Sequence, residues 1–178
     1  MTKRTAFRMI LALTPAALAA ALVGCSAAAP SPHTTPIAAA AESPCAIRDL
    51  SLRQQRVEHP GMGKTTVDMT ATNTGTHACT VVGQPVVEFI DAQGSPIGAP
   101  TKPGRPVSAV RLRPEKSAKF TIVVEDDGNV PACGATPSRG FRIYPTDSTD
   151  AVDVTDFTGT ACSSLTVEQL STTGMEEM

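Results

Sequence analysis

Between Cys45 and about Leu170 the apolar residues fall at every second position in short runs, and that spacing commits the chain to sheet. Val67, Met69 and Ala71 point to one side of such a run, while Thr66, Asp68, Thr70 and Thr72 point to the other. The alternation returns at Val87 and Phe89, at Val110 and Leu112, at Phe120, Ile122 and Val124, at Phe141 and Ile143, at Val152 and Val154, and at Leu165 and Val167. A period of two presents one face of a strand to a core and the other to water. Turn formers separate the runs: Asn73-Thr74-Gly75, Asp91-Ala92-Gln93-Gly94, Arg113-Pro114-Glu115-Lys116, Asp126-Asp127-Gly128-Asn129 and Pro145-Thr146-Asp147. No helical stripe of any length interrupts them.

Many short strands in one stretch of this size predict an all-β domain over 45–170, an immunoglobulin-like antiparallel β-sandwich. The likeness is one of architecture, because the chain has no Trp to set between paired strand cysteines. Aromatic residues make up 3% of the chain, so Val, Ile, Leu, Ala and Met must fill the core. Residues 171–178 are expected to form a polar tail.

The N-terminus sets the compartment. Lys3, Arg4 and Arg8 precede an apolar stretch from Met9 to Val23, which leads into Leu22-Val23-Gly24-Cys25. A basic start, a short apolar segment and a small-residue junction make a secretory signal over 1–24. The stretch is too short for a membrane span of about 20 apolar residues. The junction resembles the lipobox of bacterial lipoproteins, which implies diacylation of the Cys25 thiol and cleavage just before it. Two acyl chains, at roughly 0.8 kcal/mol per buried methylene, anchor a protein stably where one would not. Residues 25–44 are rich in Ala, Pro, Ser and Thr and read as a tether. It averages about 25 Å end to end and reaches roughly 60 Å when stretched. The expected location is the extracytoplasmic face of the cell membrane.

Five cysteines are an odd count for an exported protein until Cys25 is given to lipid. Cys45, Cys79, Cys133 and Cys162 remain, and an oxidising compartment predicts two disulfides. Three pairings are open; the favoured one joins Cys45 to Cys79 and Cys133 to Cys162, closing two separate loops. Zinc is disfavoured, since no two of these cysteines lie within four residues of each other.

The formal net charge is −2, and removal of a signal carrying three basic residues and no acidic one leaves −5. That balance argues against nucleic acid as a partner. The stretch His59-Pro60-Gly61-Met62-Gly63-Lys64-Thr65-Thr66 carries part of a phosphate-loop motif, which requires a first glycine five positions before Gly63 and a helix after the lysine. Glu58 occupies that position and an alternating strand follows, so Pro60-Gly61-Met62-Gly63 is expected to be a turn between strands, with no nucleotide site.

Several quoted stretches carry a family resemblance. Cys45 opens the domain; a strand ends in Thr72-Asn73-Thr74-Gly75; His77-Ala78-Cys79-Thr80-Val81-Val82-Gly83-Gln84-Pro85 follows; then come Phe89-Ile90-Asp91 and Gly94. Val110-Arg111-Leu112-Arg113-Pro114 leads to Ala118-Lys119-Phe120, and Cys133 and Cys162 precede the closing strand. In these features the chain resembles the actinobacterial lipoproteins that carry domain of unknown function 4232. The resemblance implies a small extracytoplasmic β-sandwich with the same two disulfides, and it brings no catalytic residues. Gln84 stands where that family commonly has an aromatic residue.

Catalytic, cofactor and metal residues are not assigned. His33, His59 and His77 show no metal spacing. Glu125-Asp126-Asp127-Gly128-Asn129 lacks the spaced carboxylates of a calcium loop, and Asp147, Asp150, Asp153 and Asp156 recur every third residue, which alternates faces on a strand. The expected function is non-catalytic binding at the cell envelope, with the membrane as partner through the lipid and an unidentified envelope protein or small ligand as the other. A structural or accessory subunit of an envelope complex is the alternative, and a hydrolase is a third, weaker one.

Overall fold

In the computed structural model residues 43–102, 107–145, 147 and 149–178 are described, and they form thirteen strands and two 3-10 turns, Ile47–Asp49 and Asp127–Asn129. Cys25, the signal and nearly all of the tether lie outside the described residues. The larger sheet contains β1 (Leu50–Gly61), β2 (Lys64–Asn73), β7 (Ser117–Glu125), β12 (Leu170–Thr172) and β13 (Glu176–Glu177). Its order is β1-β2-β7-β12, with β13 also paired to β7. The second sheet has the order β10-β9-β4-β5, from Val152–Val154, Gly140–Tyr144, Val86–Ile90 and Pro96–Ile97. Two small ladders complete the fold: β3 (Cys79–Val81) with β6 (Val110–Leu112), and β8 (Ala135–Ser138) with β11 (Gly159–Cys162). Every strand pair is antiparallel, as expected for sheets with one buried and one wet face.

The longest ladder follows directly from the sequence alternation. β2 and β7 pair without interruption from Lys64↔Glu125 to Thr72↔Ser117. Val67, Met69 and Ala71 meet Ile122, Phe120 and Ala118 on the core face, and all six are at most 2% exposed. On the other face Thr121 donates to Asp68 at 2.9 Å and the hydroxyls of Thr72 and Ser117 lie 2.7 Å apart. Against this sheet packs the second, whose Phe89 and Phe141 stack with ring centroids 5.4 Å apart while Phe157 closes on Phe141 at 4.6 Å. Those three rings and Phe120 are the aromatic residues of a core otherwise made of aliphatic, Met and Cys side chains.

Both disulfides join the favoured partners, Cys45 to Cys79 with Cα atoms 4.8 Å apart and Cys133 to Cys162 at 4.5 Å. The turn at Pro60–Gly63 is a hairpin: Gly61 pairs with Lys64, and Met62 (φ 56°) and Gly63 (φ 67°) both take left-handed backbone. Two successive left-handed residues match the twist of the flanking strands.

Two expectations are corrected. Residues 171–178 are not a tail: β12 and β13 pair with Ile122–Val124 and with Ala118–Lys119, and Met175 is 4% exposed. The run of Thr and Glu looked polar because an edge strand buries few of its side chains, Met175 being the anchor. Leu165 and Val167 form no strand; they lie in a turn before β12, with Leu165 76% exposed.

The two edges of the larger sheet differ. Along β12, Met175 N–H donates to Gly83 O at 2.6 Å, Thr172 Oγ1 to Pro85 O at 3.1 Å, and Gln84 Nε2 to Thr172 O at 2.8 Å. Gln84 thus covers an edge by hydrogen bonding. β1 forms the other edge, interrupted by register shifts at Gln54/Arg56 and Glu58/Gly61 and carrying Pro60, features that discourage pairing with another chain.

Candidate functional site

The strands give the sandwich two ends with different chemistry. At one end the chain enters: Cys45 N–H donates to Thr80 O at 2.9 Å and Thr80 N–H to Ser43 O at 3.0 Å, fixing Ser43–Cys45 beside β3. Asn73 organises this end. Its side chain is fully buried, donates through Nδ2 to His77 O at 2.8 Å and Leu112 O at 2.9 Å, and accepts from Gly75 N–H at 2.9 Å. Its backbone N–H donates to Lys116 O and its carbonyl accepts from Glu115 N–H. The Thr72-Asn73-Thr74-Gly75 stretch is therefore a structural knot. A depression of about 360 Å³ lies between Ser43–Asp49 and Asn73–Cys79, with Asn73 in its lining.

β1, β2 and β7 run from that end to the other, so Lys64 stands about 30 Å from Asn73 along β2 at about 3.3 Å per residue. At the Lys64 end a cleft of about 310 Å³ opens beside the larger sheet. Its walls are Val57, His59, Thr65 and Val124 on the larger sheet, Asp156, Phe157 and Thr158 between β10 and β11, and Gly159 and Thr160 at the start of β11. Thr65 pairs with Val124 and shares the core parity of Val67, so its hydroxyl points inward and is 8% exposed. His59 Nδ1 lies 3.0 Å from Thr65 Oγ1. Glu125, Asp126, Asp127 and Asp156 rim the opening, and Glu125 is held by Lys64 at 2.8 Å.

The expected groups are distributed as follows. His77 sits at the tether end, hydrogen-bonded to the Thr76 hydroxyl at 2.9 Å, far from His59. Of the four aspartates, Asp153 is paired with Arg142 in a bidentate contact at 2.8 Å for both bonds, Asp156 reaches the cleft, and Asp147 lies beside Pro44 and Thr80. Among the described residues no three His, Cys, Asp or Glu side chains are arranged to hold a metal ion.

Sequence reasoning missed a second polar network, on the outer face of β4, β9 and β10. Arg142 also donates to Gly94 O at 3.0 Å, and the Tyr144 hydroxyl donates to Glu88 at 2.9 Å. The hydrogen bond to Asp153 holds the Arg142 guanidinium above its ordinary value. Burial, followed by the hydrogen bond to Glu88, pushes Tyr144 up. These groups satisfy one another, and the network is a cross-strand brace. It could have been anticipated from Glu88, Arg142 and Asp153 all standing at outward parity on their strands.

A family model, domain of unknown function 4232, matches residues 45–176. No curated protein and no solved structure matches the chain. The matched region ends at Glu176 in β13, consistent with the last strand being part of the fold.

Proposed function

The chain belongs to the family of domain of unknown function 4232, and from that premise we propose that it is a lipoprotein whose domain binds a partner at the cell envelope without catalysis. Cys25 carries the lipid, residues 26–42 span the gap, and the sandwich works on the extracytoplasmic side. The observation that carries this reading is the separation of the ends: the chain enters beside Thr80, and a cleft against the Asp156–Thr160 stretch lies at the far end of the same strands. A tether joined at one end presents the other outward. The paired cysteines favour an oxidising compartment.

The test is fractionation with crosslinking. The native chain is expected in the membrane fraction, and Cys25→Ser is expected to release it. A photocrosslinker at Thr158 should capture a partner that one at Ala78 does not. A Cys25→Ser chain that stays with the membrane refutes the anchor, and equal capture from both ends refutes the outward-facing site.

A further inference from the structure

We propose that Met62, at the tip of the β1–β2 hairpin, is a modification site: its thioether is oxidised to the sulfoxide by hydroperoxides ahead of the other methionines, and the fold tolerates the change. This holds wherever the domain is located, since it depends on the described residues alone.

Sulfur elsewhere in the domain is closed to such chemistry. Cys45, Cys79, Cys133 and Cys162 are paired, so no thiol remains among the described residues. Met69 is fully buried on the core face of β2, and Met175, between β12 and β13, is 4% exposed. Met62 is 93% exposed and Met178 66%. An oxidant must reach a sulfur lone pair, so a buried thioether reacts only when the structure around it opens.

The turn itself does not call for methionine. Two successive left-handed residues favour Asn and Gly, yet Met62 holds φ 56°. Its side chain gains little from packing, and a Cβ placed at Gly61 beside it would meet no atom within 4 Å. Backbone and burial both disfavour methionine here, and an outlier of this kind marks a position where the side chain has its own use. What methionine offers over Asn or Gly is a polarizable, oxidisable sulfur. The tip is also fixed, which keeps that sulfur in water. Asp126 N–H donates to Gly63 O at 2.8 Å, Asn129 Nδ2 donates to the same oxygen at 3.2 Å, and Lys64 is ion-paired with Glu125 at 2.8 Å.

In the reaction a sulfur lone pair attacks one peroxide oxygen, the S–O bond forms as the O–O bond breaks, and the proton on that oxygen passes to the departing hydroxide. Sulfur loses two electrons, the peroxide gains them, and the products are sulfoxide and water. At position 62 the polar sulfoxide stays in solvent and disturbs no packing. The same change at Met69 would set an unpaired polar oxygen among core side chains opposite Phe120.

The test treats the solubilised full chain, disulfides intact, with excess hydrogen peroxide, quenches aliquots with catalase and maps methionine oxidation by peptide mass spectrometry, fragmentation separating Met175 from Met178. N-acetyl-methionine amide sets the rate of a free thioether. Met62 is expected to react before Met178 and no more than about threefold slower than that reference. Met69 and Met175 should react at least about tenfold more slowly than Met62. Met62→Leu, which keeps an apolar side chain and removes the sulfur, should abolish the fastest phase and leave the other three methionines unchanged. A Met178→Leu chain oxidised only at Met62 should keep the urea midpoint of its untreated form. A Met62 rate further below the reference, Met178 reacting first, Met69 or Met175 keeping pace with Met62 in the folded chain, or a fall in midpoint on oxidation of Met62 overturns the proposal.

Discussion

Asn73→Ala removes the knot at the tether end, and its cost can be worked from the structure. The side chain is fully buried and makes three hydrogen bonds, to His77 O, Leu112 O and Gly75 N–H. His77 and Gly75 lie in a loop that water can reach after truncation, so each loses about 1 kcal/mol, the net value of a typical bond. Leu112 is fully buried, and leaving its carbonyl short of a donor costs about 1 to 2 kcal/mol. The sum is roughly 3 to 4 kcal/mol out of a domain stability of about 5 to 15 kcal/mol. At about 3 to 5 °C per kcal/mol for a domain of this size, Tm falls by roughly 10 to 15 °C. Urea unfolding of the solubilised full chain with disulfides intact, followed by circular dichroism, measures the change. Asn73→Asp should cost at least as much, because it faces a carboxylate toward two carbonyl oxygens in a buried site. Thr74 is exposed, and Thr74→Ala should stay within about 0.5 kcal/mol. An Asn73→Ala loss below about 1 kcal/mol, or an equal loss in Thr74→Ala, refutes the assignment of this motif to structure.

Further outcomes follow from the hairpin, the brace and the disulfides. Met62 holds φ 56° at the tip and is 93% exposed, so Met62→Asn or Met62→Gly should raise stability by about 0.5 to 1 kcal/mol, and a loss in denaturation midpoint would falsify the turn geometry. Tyr144 is the single tyrosine in a chain without Trp, so tyrosinate absorbance reports it alone. Its midpoint should lie above the ordinary value of about 10 and fall toward it in Glu88→Gln. Because the folded value is raised, the stabilisation is whole below the unfolded value near 10 and is lost as pH climbs through the folded one; a midpoint at or below about 10 contradicts it. Removing the Cys133–Cys162 bridge, with its sequence separation of 29, should cost about 3 to 4 kcal/mol in the loop-entropy description, read by the same urea titration; an unchanged midpoint contradicts it.

The strands were legible because period-two alternation states directly which side chains share a face, as the uninterrupted β2 and β7 ladder shows. Paired cysteines and the hairpin at Gly61–Gly63 were legible for similar local reasons. What stayed hidden depends on contacts far apart in the chain. Met175 anchors the last strand through Gly83, ninety-odd positions upstream, and nothing in Thr173-Gly174-Met175-Glu176 announces that partner. Leu165 and Val167 alternate as a strand would, yet they lie in a turn between β11 and β12. The cleft was half visible: Thr65 stands at inward parity, but only the fold brings His59 and Asp156 to it.

The anchor is the claim on which location, orientation and the outward-facing cleft all depend. Intact mass analysis of the chain extracted from its native membrane, without reduction, tests it most directly. The account predicts an N-terminus at Cys25 bearing a diacylglycerol mass, with no alkylatable thiol elsewhere. A chain that keeps Met1, an unmodified Cys25 and four reactive thiols at Cys45, Cys79, Cys133 and Cys162 would contradict it.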